Sequence, residues 1–155
     1  MTKVSDLMNG EAVAVVALEG QKLVGVVDCT LEVKGKGGQA GVWISDMKSG
    51  KLKGEGKGPQ NPVRRLFLRN MFVLPEWRRC GVAKKLLGEA EFFARKSKAR
   101  ELFLEVDRDN IAAAALYTSS GFEEYHAEEQ GFSFSKTLLR TLSMGTKSMT
   151  KRLFE

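Results

Sequence analysis

Cysteine, histidine and long apolar runs are all scarce in this 155-residue chain. The two cysteines, Cys29 and Cys80, stand far apart with no CxxC pair. This excludes a disulfide framework or a cysteine-built metal site and points to a reducing compartment. His126 is the single histidine, so neither a histidine metal cluster nor a Ser/His triad can be assembled around it, and it is expected at the surface just after a strand. No apolar run approaches the roughly 18 residues of a bilayer-spanning helix. The start, "MTKVSDLMNGE", has neither a signal peptide's apolar stretch nor an Arg/Ser-rich transit character.

What is there suits one globular domain, residues 1–155, with enough apolar content for a core. The net charge of +6 favours an anionic partner, but much of it is local. Residues 34–65 carry Lys34, Lys36, Lys48, Lys51, Lys53, Lys57, Arg64 and Arg65 against Asp46 and Glu55. Nucleic-acid binding there is disfavoured, because Trp43 is the one aromatic in the stretch and single strands need interleaved stacking residues.

Hydrophobic periodicity divides the chain. "AVAVVAL" (12–18), the turn "EGQK" and the alternating run 23–33 predict a β-hairpin. Residues 34–62, rich in Gly and Lys, predict a long flexible connection in which "GVWI" packs as a short anchor. "RRLFLRNMFV" (64–73) is strand-like and stops at Pro75. From Gly81 the period becomes helical, with Val82, Leu86, Ala90 and Phe93/Ala94 on one side and Lys84, Lys85, Glu89 and Glu91 on the other. "ELFLEV" (101–106) predicts a covered strand. Next come Asn110 as an N-cap, an Ala-rich helix and Gly121 as its C-terminal stop. "FEEY" and "KSMTKRLF" predict two final strands, and between them 126–148 gives weak signals. Antiparallel hairpins around a strand–helix–strand unit place the chain in the α/β (α+β) class with a mixed sheet.

The chemistry gathers where the strand ending at Val73 meets the helix beginning near Gly81. Free amides at a helix start sum with the helix dipole into an anion site. Gly81 and Ala83 leave the backbone approachable, and Arg78, Arg79, Lys84 and Lys85 add positive charge. Taken alone, the same residues describe an ordinary helix start with a basic surface. Neither a Walker loop nor a GxGxxG dinucleotide fingerprint is present.

Two stretches together narrow this reading. Arg78-Arg79-Cys80-Gly81-Val82-Ala83 fits the pattern Arg/Gln-x-x-Gly-x-Gly/Ala at a helix start. A second strand, Asn110, the alanines at 112–115, and Leu116-Tyr117-x-x-x-Gly121-Phe122 then follow. Over residues 64–125 the chain resembles the GCN5-related N-acetyltransferase (GNAT) superfamily, closest in motif to ribosomal-protein N-terminal and plastid-type protein acetyltransferases. The resemblance implies a mostly antiparallel sheet with a splayed central strand and helices on both faces. The usual N-terminal strand and two helices would be missing, since so few residues precede the hairpin. It also implies acetyl-CoA as co-substrate and no metal. The diphosphate would lie on the loop from Arg78 and Arg79 through Cys80, Gly81, Val82 and Ala83 to Lys84. The pantetheine arm would lie along Met71, Phe72 and Val73, with the Val73 N–H polarising the thioester and Asn110 at the second helix start.

The same resemblance makes Tyr117 the general acid for the leaving thiolate, against the reading of a core aromatic. Glu105 is the candidate base, against a structural carboxylate or an ordered water chain; Asp107 and Asp109 read as charges at a helix start. Cys80 as a nucleophile is disfavoured, because transfer in this family is direct. The expected acceptor is a primary amine, a protein N-terminus or lysine first and a polyamine or other small amine second. A non-catalytic acyl-CoA-binding module is the alternative. Monomer and homodimer both remain open, and no membrane is implied.

Overall fold

The computed structural model describes residues 3–8, 12–34, 43–45, 52–53, 63–125 and 145–154. Its strands are β1 (Lys3–Met8), β2 (Ala12–Glu19), β3 (Lys22–Lys34), β4 (Trp43–Ser45), β5 (Leu52–Lys53), β6 (Val63–Val73), β7 (Glu101–Asp107), β8 (Glu123–Glu124) and β9 (Thr146–Arg152). Among the described residues two α-helices, α1 (Val82–Lys96) and α2 (Ile111–Ser119), accompany them. The nine strands among the described residues share one sheet in the order β1-β2-β3-β6-β7-β9-β8, with β4 and β5 extending from β3. Every pairing is antiparallel except β6 with β7.

The hairpin, the strand–helix–strand unit and the two closing strands lie where the periodicity placed them. Three details differ from expectation. An N-terminal strand is present: β1 pairs with β2 across only residues 9–11, a spacing that admits no pair of helices. The 34–62 stretch holds two short strands, Trp43–Ser45 on β3 and Leu52–Lys53 on that; its remainder, and His126, lie outside the described residues.

The third difference is that α1 and α2 occupy the same face. β8 is antiparallel to β9, which is antiparallel to β7, so β6, β7 and β8 all run one way and step in one direction across the sheet. Right-handed crossovers then put both connecting helices on one side. Leu87 and Gly88 of α1, Ser119 and Ser120 of α2 and Leu102 of β7 accordingly line one hollow of about 270 Å³.

On the helix face, Val82, Leu86, Leu87, Ala90 and Ala94 of α1 meet Leu66, Leu102, Leu104, Tyr117, Phe122 and Met149 in the core. Gly25 admits the first turn of α1, since a Cβ there would stand 3.1 Å from both Val82 and Leu86. Arg95 donates to the Leu153 carbonyl (2.7 Å) and Lys151 meets Glu91 (2.6 Å), tying α1 to β9 and the C-terminal segment.

The opposite face of β6 and β7 is different in kind. Glu32 and Arg65 sit directly across from each other on β3 and β6, 4% and 7% exposed, joined at 2.7–2.8 Å. Arg65 lies 4.2 Å over the Phe103 ring, which stacks on Phe67 (5.3 Å); Arg69 lies over Phe67 (4.3 Å) with a nitrogen 3.6 Å from Glu32. Among the described residues no helix is long and apolar enough to cross a membrane.

Candidate active site

β6 and β7 pair over only four positions, from Arg65 with Glu101 to Leu68 with Leu104. β6 continues to Val73 and β7 to Asp107, so beyond Leu68 the two strands diverge. The gap is a cleft of about 240 Å³ lined by Leu68, Arg69, Asn70 and Met71 of β6 and Glu105, Val106 and Asp107 of β7. Asn110, Ala113 and Tyr117 close its helix side.

Backbone direction follows from two hydrogen bonds. The Leu74 N–H donates to Val24 of β3 (3.0 Å), and amides alternate between strand edges, so the main chain of Val73 faces the edge that β7 has left. Its carbonyl accepts from Arg78 Nε there (3.1 Å), and its N–H lies on the same edge. The same alternation turns the Phe72 main chain toward β3, where it pairs with Val26. Phe72 therefore cannot line the cleft through its backbone as the sequence suggested, and its side chain is half-exposed.

Tyr117 enters from the helix face. Its ring is 8% exposed, packs edge-on against Phe122 (5.7 Å), and its hydroxyl donates to Met71 Sδ at 3.9 Å. Burial pushes the phenol above its ordinary value, so it holds its proton well into the basic range. Glu105 approaches from the other face, since it shares a side of β7 with Phe103 and not with Leu104. It is exposed and carries no ion pair among the described residues. The cleft is thus a slot through the sheet, with a protonated phenol on one side and an exposed carboxylate on the other.

Asn110 caps α2 by accepting from the Ala113 N–H (3.1 Å) and also lines the cleft. Asp107 builds the preceding turn: its side chain accepts from the Asp109 N–H (3.2 Å) and its carbonyl from the Asn110 N–H (3.0 Å).

The loop ahead of α1 is separate from the slot. After the Pro75–Trp77 turn, Arg79 and Gly81 both take left-handed backbone, φ 63° and 81°. Gly81 is the N-cap of α1 and offers no side chain, and the first amide to find an acceptor within the helix is that of Lys85, 3.1 Å from the Gly81 carbonyl. The preceding amides form an uncapped donor set with Arg79, Cys80, Lys84 and Lys85 exposed around it. Arg78 is committed to Val73, and Cys80 Sγ contacts the Arg78 carbonyl (3.4 Å). Lys84 borders the hollow between the two helices. These donors and the open edge of β6 offer hydrogen bonds to an extended anionic ligand. No group of three or more potential metal ligands occurs among the described residues.

Met71, Glu105, Asn110 and Tyr117 are thus brought together, while Val73 lies further along the open edge of β6 and residues 78–84 form the separate loop and first turn of α1. Sequence reasoning overlooked Asn70, whose one available signal was an asparagine inside a strand-like run.

Comparison with known proteins gives a consistent picture. The family model described as "Acetyltransferase (GNAT) family" matches residues 4–122, more than half of the chain. An "Aminoglycoside N(6')-acetyltransferase type 1" of Acinetobacter haemolyticus is 38% identical over 58 residues, 37% of this chain and 40% of that protein. "GCN5-related N-acetyltransferase 4, chloroplastic" of Arabidopsis thaliana is 29% identical over 106 residues, 68% of this chain and 36% of the relative. The chain therefore spans well under half the length of the curated relatives it matches. Among solved structures, the PaiA N-acetyltransferase of Thermoplasma acidophilum in complex with coenzyme A superposes with a TM-score of 0.58 at 17% identity. That likeness covers 92% of this chain and 61% of that one.

Proposed function

The chain belongs to the acetyltransferase (GNAT) family, and on that premise we propose that it moves an acetyl group from acetyl-CoA to a primary amine by direct attack. The observation that carries the reading is the slot between β6 and β7, where Tyr117 and Glu105 reach one cavity from opposite faces.

The amides of residues 79–84 hold the diphosphate, and Arg79 and Lys84 add charge. The freed edge of β6 takes the pantetheine arm, with Asn110 at the start of α2 on its other side. The Val73 N–H meets the thioester oxygen and stabilises the negative charge that grows there. Glu105 takes the proton lost by the attacking amine. As the C–N bond forms and the C–S bond breaks, Tyr117 gives its proton to the departing sulfur. A phenol whose burial keeps it protonated suits that task.

The acceptor expected from the sequence is a protein N-terminus or lysine. A small polyamine is the second reading, supported by the aminoglycoside acetyltransferases among the relatives. The chloroplastic relative supports the plastid stroma as the compartment, with the cytoplasm as the alternative.

Incubating the chain with acetyl-CoA and a panel of peptides, polyamines and aminoglycosides, followed by mass spectrometry, tests the reading. Acetylation of at least one class, abolished in the Tyr117→Phe, Glu105→Gln double variant, is expected. Tight coenzyme A binding without any acetylated product would favour a non-catalytic acyl-CoA-binding module instead.

A further inference from the structure

The divergence of β6 from β7 needs a local cause, because a strand paired on both edges has no reason to leave one of them. The cause lies in β6 itself. Between its pairings with Asp28 and Val26 of β3, one residue of β3 is matched by two of β6, Asn70 and Met71. That is a β-bulge, which bends and twists the strand that carries it. Asn70 takes left-handed backbone there, φ 50°, a conformation that side-chain-bearing residues avoid and that asparagine tolerates better than most. Its Nδ2 donates to Asp28 Oδ2 at 2.8 Å, across the β3–β6 ladder. The last β6–β7 pair is at Leu68, two residues earlier, and Asn70 and Met71 both line the cleft.

We propose that Asp28 and Asn70 form a positioning pair that fixes the bulge in β6 and so keeps the slot open and the Val73 amide aimed into it. Asp28 does not line the slot, so it acts through Asn70. Arg69, opposite Asp28 in register, is engaged with Glu32 and Phe67. A charged acceptor on the neighbouring strand selects one backbone state of Asn70 that its own preference leaves only partly populated. The bulge itself does not depend on the activity; the consequence for turnover rests on the acetyltransferase reading.

The test compares Asp28→Ala, Asp28→Asn, Asn70→Gly and the Asp28→Ala, Asn70→Gly double variant by kcat, coenzyme A affinity, thermal unfolding and amide hydrogen exchange of β6. Asp28→Ala is expected to lower kcat about tenfold, the size of a lost hydrogen bond to a charged acceptor, while coenzyme A affinity holds because residues 79–84 are untouched. Asp28→Asn keeps an oxygen for the same bond and should recover most of that loss. Glycine adopts left-handed backbone unaided, so in the Asn70→Gly background Asp28→Ala should change kcat by no more than about twofold, the non-additivity of two groups acting through one bond. Exchange at residues 69–73 should change in Asp28→Ala while residues 64–67 stay as they are. Unchanged exchange at 69–73, or equal losses from Asp28→Ala in both backgrounds, would overturn the pair. If the wild-type chain acetylates nothing, the functional reading fails and the pair is judged on exchange alone.

Discussion

Replacing Tyr117 by phenylalanine removes one oxygen and little else. The hydroxyl's recorded partner is Met71 Sδ at 3.9 Å, a weak acceptor, and the edge-on packing against Phe122 survives the change. The lost stability is therefore expected to stay below about 1 kcal/mol, the lower part of the range for a single hydrogen bond. The catalytic loss should be far larger: a positioned general acid contributes on the order of a hundredfold or more. Coenzyme A affinity, set mainly by residues 79–84, should move little. The pH dependence supplies an independent check. Burial raises the Tyr117 phenol above its ordinary value of about 10, and a general acid works only while protonated. No alkaline fall in wild-type kcat below about pH 10 should then be assignable to this group. Steady-state kinetics across pH, calorimetry with coenzyme A and thermal unfolding together make the assay. A Phe variant whose kcat stays within about twofold of wild type at every pH would return Tyr117 to the role of a core aromatic, since even a modest acid contributes more than that.

Three other outcomes are expected. Gly81→Glu should abolish coenzyme A binding in calorimetry by placing bulk and negative charge on the uncapped amides, and its left-handed φ of 81° adds about 1–2 kcal/mol of strain. Gly81→Ala, which meets no atom within 4 Å, should show that strain without the charge. Glu105→Gln should lower kcat on the order of a hundredfold while coenzyme A affinity holds; turnover within about twofold of wild type would assign the proton to water. For Glu91, burial raises the carboxyl but hydrogen bonds from Lys151 and Arg95 outweigh it, leaving it below the ordinary carboxylate range. Its folded value is depressed, so its contribution to stability is present above the unfolded value of about 4.3 and lost as the pH falls through the folded one. Glu91→Gln should lower the melting temperature near neutral pH and flatten the acid limb of stability.

Local pattern carried the elements. Alternation over 23–33 and 64–73 marked two strands. The helical spacing of Val82, Leu86, Ala90 and Ala94 marked α1, and Asn110 and Gly121 marked the ends of α2, because periods and caps depend on neighbours in the chain. The amide-rich helix start at Gly81 was legible for the same reason. Phe72 was misread, since strand residues in sequence give no sign of which edge their amides face until one bond, Leu74 to Val24, fixes the phase.

The sequence by itself determined the mixed α/β class, the uncapped turn before α1 and the residue types available for acid and base chemistry. The tertiary structure alone decided that both helices share a face, because that follows from the direction in which β6, β7 and β8 step across the sheet. It also decided that Tyr117 and Glu105, twelve positions apart on different elements, reach one cavity. Their meeting requires a gap between two strands, and that gap is made by an extra residue at Asn70 and its bond to Asp28, forty-two positions away in sequence. Long-range pairing of this kind is a property of register, and no local propensity encodes it.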